Sequence, residues 1–247
     1  MFRPYQIPEN DEVHVWTAFQ SASLSELPVC ESVLSVEEKQ RAARFHRAED
    51  RSRYGVAHGI LRQLLGGYLS VPPGGLTFTQ NAYGKPALVP YPGQPALSFN
   101  LAHSGDVILF ALAVDRPVGI DVETVRRDFD VMELAQNQFS ELEISSLRSI
   151  ADPAERTEAF FRCWTRKEAY LKARGEGLGF PLKKFSVTFG RDESPSVSWA
   201  ADDPLATERW SVRDVPVVSG YVAAMVCSGG PVKCNLYRWN ADSRALT

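Results

Sequence analysis

Helix-like and strand-like stretches in this chain come in blocks, and the order of the blocks occurs twice. Residues 12–18 (EVHVWTA) alternate with the period of a strand. Ser35, with Glu38 three residues on, is a capping-box pattern that starts a helix running to about Arg47. A second helical pattern over 49–69 puts Tyr54, His58, Leu61, Leu65 and Leu69 on one face, and Val71-Pro72-Pro73-Gly74-Gly75 ends it. Three β-like runs follow at 76–79, 96–100 and 107–114. The order then recurs. A strand pattern at 118–123 leads to helices at 131–139 and from Ser140, which forms a second capping box with Glu143. A long helix at 153–174 is stopped by Gly175, and β-like runs follow at 185–189, 196–199, 210–215 and 221–227. Strands that cluster after helices, and do not alternate with them, predict an α+β fold. The repeated order predicts two similar halves, 1–116 and 117–247, each a small, mostly antiparallel sheet packed with helices.

With 44% apolar and 23% charged residues, the composition is that of a globular protein, and a net charge of −3 is too small to argue for nucleic acid or a membrane surface. The first residues carry acids and prolines and no apolar core of signal-peptide length. The longest apolar run, 107–114, is far short of the roughly 20 residues that a membrane helix needs. These features predict a cytoplasmic protein with neither a nucleic-acid nor a membrane partner. Cys30, Cys163, Cys227 and Cys234 form no C-x-x-C pair and have no histidine at zinc-finger spacing, which predicts reduced thiols.

Strand alternation over Val118-Gly119-Ile120-Asp121-Val122-Glu123 points Asp121 and Glu123 the same way. Two carboxylates on one face repel unless a cation separates them, and hard oxygen donors suit Mg²⁺; a solvated strand end is the other reading. On the long helix, Phe160, Trp164, Glu168, Leu171 and Lys172 share one side. Their aromatic and aliphatic company implies burial, where a carboxylate is costly unless paired or bound to metal. A Glu168–Lys172 helix salt bridge is the alternative. Residues 100–105 read as a turn between two β runs, in which His103 either donates to a phosphate or satisfies turn carbonyls. Tyr83-Gly84-Lys85-Pro86 is a tight turn that presents one lysine. Arg41, Arg44, Arg47, Arg51 and Arg53 make the early helices basic. Arginine forks onto phosphate, although most of these five read as a solvated face. The phosphate-loop, dinucleotide, nucleophile-elbow and zinc-protease motifs are all missing.

Taken together and in order, these segments resemble the signature of the Sfp-type 4′-phosphopantetheinyl transferases. The carriers are Val118-Gly119-Ile120-Asp121-Val122-Glu123 and, about forty residues on, Trp164-Thr165-Arg166-Lys167-Glu168-Ala169-Tyr170-Leu171-Lys172. Upstream stand Tyr83-Gly84-Lys85-Pro86 and Phe99-Asn100-Leu101-Ala102-His103-Ser104, with Arg44-Phe45, Asp50 and Arg53 resembling the family's basic helix segment. The resemblance covers about residues 12–227 and implies a monomer of two pseudo-symmetric halves with coenzyme A in the cleft between them. By motif, Asp121, Glu123 and Glu168 are implied to hold Mg²⁺ on the pyrophosphate, and Lys172 and His103 to contact phosphates. Lys85 and Pro86 are implied beside the adenine and phosphorylated ribose, and Arg53, with Arg41, near the 3′-phosphate. Ala102 stands in the coenzyme site where family members often have serine. Glu38 stands where a lysine is expected, with Lys39 or Arg41 in its stead.

The implied reaction is attack of a serine hydroxyl of an apo acyl or peptidyl carrier protein on the β-phosphorus of coenzyme A, releasing adenosine 3′,5′-bisphosphate. Carriers of this kind serve fatty-acid, polyketide or nonribosomal-peptide synthesis. Glu168, or a water on the metal, accepts the serine proton, and Lys172 stabilises charge. The segment 124–129 follows the metal strand. It is implied to dock the carrier through Arg126 and Arg127, with Phe129, Met132 or Phe139 as apolar anchor; a solvated loop paired with Asp128 and Asp130 is the alternative. Two other functions compete. A non-catalytic coenzyme A- or carrier-binding module would lack a metal acid or the helix lysine, and a Mg²⁺-dependent phosphodiesterase would position a water in place of the serine.

Overall fold

The computed structural model describes residues 5–240. Its first half runs β1 (Glu12–Phe19), α1 (Gln20–Ser23), α2 (Leu27–Ser32), α3 (Val36–Ala43) and α4 (Ala48–Leu69), then β2 (Phe78–Gln80), β3 (Pro86–Leu88), β4 (Leu97–Ser104) and β5 (Val107–Val114). Its second half runs β6 (Val118–Thr124), α5 (Val131–Gln138), α6 (Glu141–Ser149) and α7 (Pro153–Arg174), then β7 (Phe185–Val187), β8 (Val197–Ala200), α8 (Ala206–Arg209), β9 (Trp210–Asp214) and β10 (Tyr221–Ser228). A last strand, β11 (Lys233–Arg238), follows.

The halves repeat one topology. The opening strand pairs antiparallel with the closing strand, which pairs antiparallel with the strand before it, as β1–β5–β4 and as β6–β10–β9. Each half also carries one hairpin, β2–β3 or β7–β8, and one helix of 22 residues, α4 or α7. The α+β architecture expected from block order is therefore present. β11 breaks the symmetry: it lies parallel to β1, with Val13 opposite Cys234, and stacks Tyr237 on Trp16.

The all-apolar run of β5 is explained by burial on both faces. Ile108, Phe110, Leu112 and Val114 join α4 in one core, while Val107, Leu109, Ala111 and Ala113 join Val118, Ile120 and Val122 of β6 in another. The second half's own core gathers Phe139, Phe160, Phe161, Tyr170 and Phe185 around α7.

Local signals set the helix ends. Both capping boxes form, Ser35 with Glu38 and Ser140 with Glu143. Asp152 caps α7, Pro153 opens it and Gly175 closes it at φ +73°. One helix stops early. α3 ends at Ala43, not near Arg47, because the chain turns to bring Phe45 onto Tyr54, ring centroids 5.6 Å apart.

α7 is fixed in rotation by two ion pairs, one of them wholly buried. Lys167 donates to Glu143 Oε2 at 2.7 Å and to the Phe185 carbonyl at 2.6 Å, with both charged side chains almost wholly buried. Arg166 grips Asp214 through two bonds of 2.9 and 2.6 Å. β6 rests directly on α7. A Cβ at Gly119 would stand 2.1 Å from the Ala169 carbonyl and 2.4 Å from the Ala173 nitrogen, so only glycine permits this approach.

Candidate active site

α4, β4, β6 and α7 enclose a cleft of about 580 Å³. Strand parity builds its acidic wall: Val118, Ile120 and Val122 point into a core, which leaves Asp121 and Glu123 on the side of α7. From α7, Trp164, Glu168 and Lys172 enter at four-residue spacing. Opposite them stand His103 of β4 and Arg53, Tyr54 and His58 of α4. Anion-binding and cation-binding groups thus share one cavity.

Lys172 Nζ donates to Asp121 Oδ1 at 2.6 Å and to the Ile120 carbonyl at 3.3 Å. Asp121 is 5% exposed, and its Oδ2 has no hydrogen-bond partner among the described residues. Burial pushes the Asp121 carboxyl up to about 7; Lys172 pulls it back, and Glu123 and Glu168 add to the rise. Glu168 is also raised by burial, with Lys172 opposing and Glu123 reinforcing. His103 is lowered by the crowding of the cleft walls and then by the positive charges of Arg53 and Lys172. His58 is pushed down to about 4 by burial, with Arg41, His103 and Arg62 contributing in the same direction.

The donor chemistry fits a divalent cation. Three carboxylates supply hard oxygens, one buried carboxylate oxygen lacks a partner, and burial, with mutual repulsion adding to it, raises two of the acids. Among the described residues, however, no three His, Cys, Asp or Glu side chains stand close enough as they are to enclose an ion. Lys172 takes Asp121 Oδ1 in this arrangement. The helix pair Glu168–Lys172 considered from sequence does not form; the Lys172 ammonium goes across to β6.

The structure gathers Arg53, Ala102, His103, Asp121, Glu123, Glu168 and Lys172 at the cleft and leaves Arg41, Lys85 and Pro86 out of its lining. Arg53 pairs with Asp50 at 3.0 Å, and its Nε is buried without a partner among the described residues. Arg41 lies over the Tyr54 ring, 5.9 Å from the centroid. Lys85 Nζ donates to the carbonyls of Val118 and Ala173 at 3.1 and 3.2 Å, and burial pushes its pKa down to about 8. Asn81 Nδ2 adds a bond to the Gly175 carbonyl, so this turn clasps the end of α7. His103 sits within strand β4, not in a turn; the turn is at Gly105-Asp106, one strand residue further on.

In the loop after β6, Arg127 pairs with Glu158 at 3.5 Å and Arg126 lies over the Phe129 ring. Phe129 and Met132 are partly buried against the second core. Phe139 is 1% exposed and stacks on Phe160, so it offers no anchor to a partner. Asp130 caps α5 through the Met132 amide and pairs with no arginine among the described residues. Glu38, in the place expected of a lysine, binds the buried Arg62 at 2.6 Å.

Tyr54 and His58 stack at 3.9 Å and line the cleft beside Phe45, although their periodicity reads as plain core. A polar ring at the end of an apolar stripe was the available signal. Trp164 is a second such case.

Residues 117–226 match the family described as the 4′-phosphopantetheinyl transferase superfamily, and residues 18–114 match the family described as 4′-phosphopantetheinyl transferase, N-terminal. The chain is 36% identical to the 4′-phosphopantetheinyl transferase HetI of Nostoc sp., over 89% of each chain. It is 30% identical to the 4′-phosphopantetheinyl transferase Sfp of Bacillus subtilis, over 81% of this chain and 84% of that one. It is 30% identical to the L-aminoadipate-semialdehyde dehydrogenase-phosphopantetheinyl transferase of Xenopus laevis, over 66% of this chain and 56% of that one.

Proposed function

The chain belongs to the 4′-phosphopantetheinyl transferase family, and on that premise we propose that its cleft binds coenzyme A and Mg²⁺ while a carrier serine attacks. It is a holo-carrier-protein synthase: it moves the 4′-phosphopantetheine arm of coenzyme A onto carrier proteins. The comparisons lend no support to a non-catalytic binding module or a phosphodiesterase.

One observation carries the finer reading. Asp121, Glu123 and Glu168 face Arg53 and His103 across one cavity, Lys172 stands on the carboxylate side bonded to Asp121, and a carboxylate oxygen on one side and a guanidinium nitrogen on the other are buried without partners among the described residues. Asp121, Glu123 and Glu168 hold Mg²⁺, which when bound neutralises charge on the pyrophosphate. His103 and Lys172 contact the phosphates. Arg53, in the first half, binds the 3′-phosphate. Glu168, raised by its surroundings, is suited to take the proton of the serine hydroxyl as that oxygen bonds to the β-phosphorus and adenosine 3′,5′-bisphosphate leaves. Like the family it resembles, the protein works as a monomer in the cytoplasm.

The carrier docks at residues 124–129, beside the acidic wall, where Arg126 and Arg127 meet an acidic helix. Intact-mass assays with coenzyme A, Mg²⁺ and a panel of apo acyl and peptidyl carriers test the whole reading. Transfer that continues at full rate in chelator overturns the metal. Reversing both arginine charges is expected to raise the carrier KM and leave that of coenzyme A nearly unchanged; an unaltered carrier KM at low salt moves the docking site elsewhere.

A further inference from the structure

β6 is an edge strand in its sheet, yet four of its outward backbone groups are not bare. Side chains from other elements take them. Asn100 Oδ1 accepts from the Ile120 amide at 2.8 Å, and Ser104 Oγ accepts from the Thr124 amide at 3.0 Å. Lys85 and Lys172 supply ammonium groups to the Val118 and Ile120 carbonyls.

Asn100 and Ser104 are four residues apart on β4, and Ile120 and Thr124 are four residues apart on β6. Two bonds at one offset set the strands side by side, running the same way, although they belong to different sheets. Between the anchors lie Leu101, Ala102 and His103 on one strand and Asp121 and Glu123 on the other, all of them cleft residues. Neither Asn100 nor Ser104 lines the cleft. Ser104 Oγ also donates to Glu123 Oε2 at 3.1 Å, and the turn that follows is held by the Asp106 amide donating to Tyr221 Oη. A Cβ at Gly105 would come within 2.5 Å of that oxygen.

We propose that Asn100 and Ser104 are positioning residues of the transfer reaction, holding the His103 side and the carboxylate side of the cleft in one register. The proposal rests on the assignment of this cleft as the coenzyme A site. A slip of one residue along a strand is about 3.3 Å, and displacements of about 1 Å at a reacting centre can cost a hundredfold in rate. Side-chain anchors replace a ladder here, so losing one frees the register locally while both sheets persist.

The test combines kinetics with amide exchange in the metal-free protein. Asn100→Ala is expected to lower kcat about tenfold or more, keep the coenzyme A KM within about threefold, and speed exchange at the Ile120 amide about tenfold. Ser104→Ala is expected to do the same at Thr124, and Ser104→Thr, which keeps the hydroxyl, to restore most of kcat. A wild-type kcat despite faster exchange would make the seam mere adhesive and overturn the proposal. So would a raised coenzyme A KM at unchanged kcat, which is the mark of a substrate contact. If Asn100→Ala does not fold, the Ser104 pair decides: equal kcat in the alanine and threonine variants overturns the idea. Asp121→Ala separates the two levels. Full activity in that variant removes the cleft assignment itself, whereas an inactive Asp121→Ala beside a fully active Asn100→Ala removes only the positioning role.

Discussion

The Lys172 ammonium reaches across from α7 to Asp121 of β6 at 2.6 Å, and takes one oxygen of a carboxylate whose other oxygen has no partner among the described residues. Helix and strand meet here through a charged pair that engages only one of the two carboxylate oxygens.

Asp121→Ala is expected to cut transfer by about a hundredfold or more, because it deletes a group acting on charge that develops in the transition state. Circular dichroism should show the native fold, since Lys172 is partly exposed and can hydrate once released. Wild-type turnover by this variant at limiting Mg²⁺ would contradict the assignment.

Breaking the buried Lys167–Glu143 pair is expected to destabilise far more than its distance from the cleft suggests. Lys167→Met leaves Glu143 enclosed without its counter-charge, a loss of about 3–5 kcal/mol by urea unfolding. Joint replacement with Glu143→Leu should recover part of this, but not all, because Glu143 also receives the Ser140 and Val187 amides. A single-variant loss below about 1 kcal/mol would show that the site relaxes or admits water.

Gly119→Ala inserts a methyl group against α7 backbone that cannot yield as a side chain would. Overpacking of this kind costs about 3 kcal/mol or more when backbone must move. Transfer should fall with stability, because the same displacement parts Lys172 from Asp121. A variant with a native melting temperature would mean that the seam has slack.

Stability is expected to fall on acidification between about pH 6.5 and 4, in part through His58. Its side chain keeps 25% of its surface, yet its pKa is pushed down to about 4 from the ordinary 6.5. In that window the unfolded chain binds a proton that the native ring refuses, so unfolding gains as pH drops. His14, also lowered by burial, contributes in the same direction. His58→Gln should flatten the slope without abolishing it; identical slopes in urea titrations would remove His58 from the account.

Much of this was readable from spacing. Strand and helix periods put Asp121 and Glu123 on one face and Glu168 and Lys172 on another, but leave a solvated strand end and a helix salt bridge open; the order of the motifs, through the family resemblance, singles the four out, while the caps of α3, α6 and α7 are local patterns. What could not be read depends on partners distant in the chain. Lys85 looks like a solvated turn lysine until the carbonyls of Val118 and Ala173 are brought to it. Asn100 reads as a turn residue because nothing nearby reveals that an amide twenty residues on needs its oxygen. β11 escaped notice for the same reason: its half-exposed, mixed sequence KCNLYR becomes a strand only against the open edge of β1.

That last strand has a consequence for the order of assembly. During synthesis β1 emerges first, and its partner β5 follows about ninety residues later, but the neighbour on its other side leaves the ribosome only after the whole second half. Until then Trp16 lacks the ring of Tyr237, and one flank of the first sheet offers bare amides and carbonyls to any passing strand. The nascent chain therefore carries this open edge until its last strand is made, and β11 acts as a closing latch whose arrival ends the exposure.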